Sequence, residues 1–175
     1  PDPATGLFLW QNIFGVWPAT GRVDDPLRGR LHAYAEKVIR EAHLHTSWTD
    51  PDDAYEKAVH TWVDVVLDGP VAAGLTELVH QLDPHGRSDA LGQKLLALTV
   101  PGVPDVYQGT ELWEDNLVDP DNRRPVNFAS RREALHTLQH PKIRVVHAAL
   151  RLRRERPLTF LAGGHTALLG DGCGA

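Results

Sequence analysis

"PGVPDVYQGTELWEDNLVDPDNRRP", residues Pro101–Pro125, decides how this chain is read. A short apolar run breaks into a segment crowded with aromatic, amide, carboxylate and guanidinium groups. From about Gln108 to Asn127 neither helical nor strand periodicity can be traced. Loops that long are uncommon inside compact domains and tend to carry function. "VPDVY" just before it reads as a short β-type run, with Pro104 awkward for a central strand.

Working outward, the first 100 residues are helical in pattern. "LFLWQNIFGVWP" is dense in large apolar side chains and closes on Pro18, as a buried helix would. In "DDPLRGRLHAYAEKVIREAHLH", Asp25 is placed to cap, Pro26 suits the first turn, and Leu27, Leu31, Tyr34, Val38 and Ala42 trace one face. Glu36 and Arg40 form an (i, i+4) pair on the outside. In "TDPDDAYEKAVHTWVDVVLDGP", Asp50 caps, Pro51 starts, and Tyr55, Val59, Trp62, Val63 and Val66 form the buried stripe up to Gly69-Pro70. "VAAGLTELVHQL" reads as a shorter helix, and Ser88 opens another in "SDALGQKLLALTV". Beyond the loop, Ser130 and Glu133 form a capping box. Pro141 starts a helix with Ile143, Val146 and Leu150 inward, and "LTFLAGGHTALLG" reads as the first strands of a β region. The order is helices, strand, loaded loop, helix, β start. That is what the last unit of a (β/α)8 barrel would show, with ligand groups at the C-terminal ends of strands.

Composition narrows the function classes. A chain of 175 residues with a net charge of -5 gives no reason to expect nucleic acid or an anionic membrane as partner. The basic run "RLRRERP" reads as the polar face and end of a helix. A single cysteine, Cys173, excludes an internal disulfide and fits a reducing cytoplasm. No apolar run reaches the roughly 20 residues a membrane span needs, and no signal-peptide pattern opens the chain. There is no methionine, even at position 1, and both ends read as cut, so a fragment of a longer protein is expected.

The loop carboxylates Glu111, Glu114, Asp115, Asp119 and Asp121 pose the chemical question, since glycoside chemistry uses paired carboxylates. They can equally bind the adjacent Arg123 and Arg124, or hold ligand hydroxyls beside aromatic faces. "DPDN" offers oxygens at calcium-like spacing, but without the glycine and terminal glutamate of an EF-hand loop. His43 and His45 alternate with no further zinc ligand spaced to match. No G-x-S-x-G elbow supports a serine nucleophile. No metal or cofactor is expected.

The stretch "PGVPDVYQGTELWEDNLVDPDNRRPVNF" closely resembles the last barrel strand and following loop of the α-amylase superfamily, glycoside hydrolase family 13. Many members carry a looser G-x-P-x-x-Y-x-G-x-E run, and "LVDPDNRRPV" points to the trehalose-forming branch. "LFLWQNIFGVWP" and "AHLHTSWTDPDDAYEKAV" are similar to that branch as well, so the resemblance covers nearly the whole chain. It implies a retaining intramolecular transglucosylase, a (1→4)-α-D-glucan 1-α-D-glucosylmutase. Such an enzyme turns the reducing-end α-1,4 bond of a maltooligosaccharide into an α,α-1,1 bond. A partner maltooligosyl trehalose hydrolase would then free trehalose. Retaining chemistry needs two carboxyl groups about 5 Å apart and exclusion of water.

In that superfamily the catalytic carboxylates come from earlier barrel strands, and no segment here matches them, so no catalytic residue is assigned. What carries over is a substrate wall of Tyr107, Gln108, Gly109 and Glu111, followed by Asp119, Asp121, Asn122, Arg123 and Arg124. Substrate contact and loop bracing stay open for each of them. The implied fold is mostly α within this chain and α/β overall. It comprises a helical subdomain region (1–98), a last barrel strand with substrate loop and closing helices (99–156), and the start of a C-terminal β domain (157–175). Rival readings are another glucan hydrolase or transglycosylase of the superfamily, or a non-catalytic helical interaction module. As an isolated chain it is expected to be inactive and poorly soluble, with unpaired strand edges.

Overall fold

Helix boundaries follow from which carboxylates and amides can reach the first free N–H groups. The structure is a computed structural model describing residues 1–167. Helix α1 spans Pro3–Gly15, and its cap Asp2 accepts from the N–H groups of Ala4 and Thr5. Helix α2 (Asp25–Ala42) is capped by Asp24, which accepts from Leu27 N–H at 2.9 Å. Helix α3 (Asp53–Asp68) is capped by Asp52. The expected caps Asp25 and Asp50 are therefore corrected. A cap needs extended backbone and a side chain in reach of the N2 or N3 amide, and Asp52 meets both at 3.0 Å from Ala54 N and 2.9 Å from Tyr55 N.

The two helices read on either side of residue 85 are one, α4 (Val71–Thr99), with Pro84 inside it. Proline removes a single ladder hydrogen bond and adds a local clash, which can bend a helix without ending it. After a short 3-10 turn at Asp121–Arg123 come α5 (Phe128–Thr137), α6 (Pro141–Glu155) and α7 (Pro157–Ala162). Asn127 caps α5, accepting from Ser130 N–H, so Ser130 lies inside the helix instead of at its cap.

Among the described residues there are helices and no strands. The expected strand at "VPDVY" is extended chain without a partner, with Val103 89% exposed. A strand needs a neighbour to satisfy its N–H and C=O groups, and none of the described segments supplies one. "LTFLA" is helical instead, started by Pro157 at the first turn. The part of the expected β region from residue 168 onward lies outside the described residues, as does Cys173.

The chain divides into two compact units, 1–85 with 115–125, and 86–114 with 126–175. In unit one α2 packs on both α1 and α3. Its core holds Ile13, Leu31, Ala35, Ile39, Val59 and Val63, none more than 3% exposed. Burying each such side chain fully is worth about 1.5–3 kcal/mol for the larger ones. Of the face expected on α2, Leu31 and Tyr34 are buried; the stripe continues through Ala35 and Ile39, leaving Ala42 exposed. Trp17 donates from its indole N–H to Thr76 Oγ1 at 3.0 Å, tying the end of α1 to α4.

In unit two Leu98, Val146 and Ala149 form the core, with Val106 packed against it. Leu150, expected inward on α6, is exposed, and Ala149 takes the inward position. Arg153, read as part of a solvated basic face, donates to the C=O groups of Leu98, Val100 and Gly102. Its guanidinium thereby satisfies one orphan carbonyl of the last turn of α4 and two just beyond it.

Candidate functional site

The second half of the opening stretch is organised in unit one by a single carboxylate. Leu117 is 3% exposed and plugs the core, carrying the loop down onto the helices. Asp121 then receives a two-pronged bond from Arg30 of α2, Nε to Oδ1 and Nη2 to Oδ2, each at 2.7 Å. Leu117 N–H donates to the same Oδ2 at 2.8 Å, and Arg30 also donates to Asp115 C=O at 2.6 Å. Burial acts to raise the Asp121 pKa, but the Arg30 hydrogen bond, the Leu117 amide and the charges of Arg30 and Arg124 outweigh it. The carboxyl stays below its ordinary range and fully ionised at neutral pH. Arg124 donates to Asp121 C=O and to Asn116 Oδ1. Asp121 and Arg124 are loop braces.

Asp119 and Arg123 are placed differently. They form an (i, i+4) pair, Arg123 Nη2 to Asp119 Oδ2 at 2.8 Å, with side chains 50% and 66% exposed. The Arg123 hydrogen bond comes first among the causes that hold the Asp119 carboxyl low. Between them runs a cis Asp119–Pro120 peptide bond. Asn122 is half-buried, and its Oδ1 has no hydrogen-bond partner.

Asp119, Asp121, Arg123 and Arg124 all line one groove of about 1010 Å3, whose other wall is α2 and the Trp48 loop. Its cations are Arg30, Lys37, Arg123 and Arg124. Its carboxylates are Glu36, Glu41, Asp119 and Asp121, so the formal charges balance. Asn122 is not part of this lining.

Trp48 stands 55% exposed on the groove. Arg40 lies over its ring at 4.8 Å from the centroid and does not itself line the groove. That guanidinium is locked in turn by Glu56, through Nε to Oε1 at 2.8 Å and Nη2 to Oε2 at 2.7 Å, and by Glu36 at 2.7 Å. Thr46 Oγ1 donates to Glu56 Oε1 at 2.6 Å while accepting from Asp52 N–H at 3.0 Å. The Arg40 and Thr46 hydrogen bonds pull the Glu56 carboxyl down to about 2.

Unit two holds the first half of the stretch. Gly109 has φ +87°, and a Cβ there would meet Val126 at 3.2 Å, so glycine is required by both conformation and space. Arg131 of α5 donates to Gly109 C=O at 2.9 Å and to Glu114. Thr110 N–H and Oγ1 close a turn on Tyr107 C=O. Tyr107 and Gln108 are exposed, while Glu111 lines a second cavity of about 470 Å3 with Arg131, Arg132 and His147. Glu111 Oε2 is buried and unpartnered. The predicted site residues thus fall into two sets, Asp119 to Arg124 in unit one and Tyr107 to Glu111 in unit two.

Glu114, Asp119 and Asp121 are all engaged by arginines. His45 contacts Asp2 Oδ2 at 3.4 Å and packs at a tilt against Tyr55, and among the described residues no cluster of three or more His, Cys, Asp or Glu could hold a metal. Arg30, Arg131 and Trp48 were missed from sequence. Arg30 and Asp121 lie 91 residues apart, and no local pattern signals such a pair.

In each helical unit an arginine holds part of the polar stretch, Arg30 in unit one and Arg131 in unit two. Comparison with known proteins says what this chain is similar to. No protein-family model matches the chain. A Mycobacterium tuberculosis protein provisionally named maltooligosyl trehalose synthase is 64% identical over 172 residues, which is 98% of this chain and 22% of that protein. The maltooligosyltrehalose synthase structure from Arthrobacter ramosus matches with a TM-score of 0.76 at 46% identity, covering 88% of this chain and 21% of that one. A Sulfolobus tokodaii protein described as a hypothetical maltooligosyl trehalose synthase matches with a TM-score of 0.78 at 31% identity, covering 90% and 23%. The resemblance to maltooligosyl trehalose synthase read from the loop therefore holds over nearly the whole chain. The chain spans about a fifth of the length of these relatives. Among the described residues no helix is long and apolar enough to cross a membrane.

Proposed function

We propose that this chain is part of a retaining intramolecular transglucosylase. The enzyme converts the reducing-end α-1,4 linkage of a maltooligosaccharide into an α,α-1,1 linkage, forming maltooligosyl trehalose. The observation that carries the reading is the 64% identity over 98% of the chain to a protein bearing that enzyme's name. The catalytic carboxylates are carried outside these 175 residues. In keeping with this, three loop carboxylates are tied up in arginine pairs. An ionised, ion-paired carboxylate is a poor general acid at neutral pH.

In this reading residues 1–98 belong to a helical subdomain, 99–156 to the last barrel strand region with its loop and closing helices, and 157–175 lead into a C-terminal β domain. In the intact barrel, "VPDVY" pairs with neighbouring strands absent from this chain. Tyr107, Gln108, Gly109 and Glu111 form one part of the substrate wall. Glu111 lines the unit-two cavity with Arg131 and Arg132. Asp119 and Arg123, being exposed, face substrate, while Asp121 and Arg124 hold the loop. The enzyme acts in the cytoplasm, with a maltooligosyl trehalose hydrolase consuming its product.

The test is to incubate the full-length protein carrying this sequence with maltopentaose. Reducing ends should disappear without shorter sugars accumulating. Release of glucose, maltose or maltotriose as the main outcome would assign a hydrolase or a transglycosylase instead.

A further inference from the structure

The unit-one groove contains a feature that neither the loop nor the transglucosylase reading uses. Trp48 is more than half exposed and presents its ring to the groove. It is also held rigidly. Arg40 covers its ring from outside the groove and is itself fixed by two carboxylates. The loop carrying Trp48 is pinned on both sides, by Thr46 to Glu56 and by Asp50 N–H to Ser47 Oγ at 2.9 Å. Thr46 and Ser47 are buried although polar. This network supports an aromatic ring that contributes little to the core.

From this we infer that Trp48 is a stacking platform for an α-1,4-glucan chain, a binding subsite lying along α2; the inference rests on the transglucosylase reading for the identity of the glucan. One observation favours a neutral ligand and two favour a long one. The groove's four cations are matched by four carboxylates, so it offers no net field for a phosphate or another anion. Small side chains on α2, Gly29 and Ala33, line it, and a Cβ at Gly29 would meet nothing within 4 Å, so a long ligand can lie close to the helix. At about 1010 Å3 it stands at the top of the usual range for ligand pockets, about 300–1,000 Å3, room for several sugar units. The apolar face of a glucose ring stacks on the indole, while Lys37, Glu41 and Asp119 are placed to bond its hydroxyls. Fixing the ring in advance lowers the ordering cost of binding.

The test measures the affinity of the full-length protein for maltoheptaose, by tryptophan fluorescence or calorimetry at a temperature where turnover is slow. Trp48→Ala should weaken binding about tenfold, and Trp48→Phe, which keeps an aromatic face, should recover part of the loss. Because Trp48 is exposed, both variants should melt with the wild type, which separates lost stacking from misfolding. Glucose 1-phosphate should not compete. Unchanged maltoheptaose affinity in Trp48→Ala, or no recovery in Trp48→Phe, would overturn the platform while leaving the transglucosylase reading intact. If wild-type protein binds maltoheptaose through Trp48 yet forms no α,α-1,1 product, the platform stands and the transglucosylase reading fails.

Discussion

Replacing Asp121 with alanine removes three hydrogen bonds at once: two from the Arg30 guanidinium and one from Leu117 N–H. The Asp121 side chain is 9% exposed and that of Arg30 is 20% exposed, so the pair is shielded from water. The Leu117 amide is worth about 1 kcal/mol, and bonds between charged groups about 1.5–3 kcal/mol. Arg30 keeps its bond to Asp115 C=O and can partly rehydrate, which reduces the loss. A net destabilisation of about 2–3 kcal/mol remains, concentrated in residues 115–125. Hydrogen exchange is the suitable assay, because a two-unit chain need not melt in one step. At one decade per 1.4 kcal/mol, the Leu117 amide should exchange about 30- to 140-fold faster. Acid should reproduce the effect in the wild type. The Asp121 carboxyl is depressed in the folded state, so its stabilisation is complete above the ordinary carboxylate range and is lost as pH falls through the folded pKa. Leu117 exchange unchanged in Asp121→Ala would refute the assignment of Asp121 as the brace of the loop.

Three further outcomes follow from the same geometry. Asp119→Ala, at an exposed pair, should leave hydrogen exchange of the loop nearly as in the wild type while lowering maltooligosaccharide affinity; equal loop loosening in Asp119→Ala and Asp121→Ala would erase the distinction between contact and brace. Gly109→Ala forces a side chain to φ +87° against Val126 and should cost about 1–3 kcal/mol, read as a lowered thermal midpoint for unit two. Glu56 titrates near 2 instead of its ordinary 4.5. Its contribution is therefore present above about pH 4.5 and drains away as pH falls toward 2. A Glu56→Gln variant should be less stable at neutral pH and show a flatter acid limb in urea unfolding across that window.

Most helices were legible because their information is local. Apolar residues every three to four positions marked α2 and α3, and Pro26 marked the start of α2, whereas Pro51 lies before the α3 cap Asp52. The caps were misplaced by one or two residues, since Asp24 and Asp25, or Asp50 and Asp52, offer the same chemistry and only backbone geometry chooses. Ser88 suggested a second helix start, through which the ladder of α4 runs unbroken. "LTFLA" is helical from Pro157 onward, whereas the strand expected at "VPDVY" is missing for a non-local reason. A strand is stabilised by its neighbour, and "VPDVY" has no strand beside it among the described residues.

The site divided in the same way. Its residue types and their order in "GVPDVYQGTELWEDNLVDPDNRRP" carried the family likeness, because such a likeness depends on which groups are present and in what order. Which of those groups are buried in ion pairs and which stay exposed depended on partners far along the chain. Arg30 reaches Asp121 across 91 residues, and Arg40 reaches Glu56 to steady Trp48. By itself the sequence determined the helices, the family likeness and the candidate loop. Tertiary structure decided the rest, because an ion pair exists only when folding brings the two charges within about 3 Å and withholds the water that would otherwise solvate them.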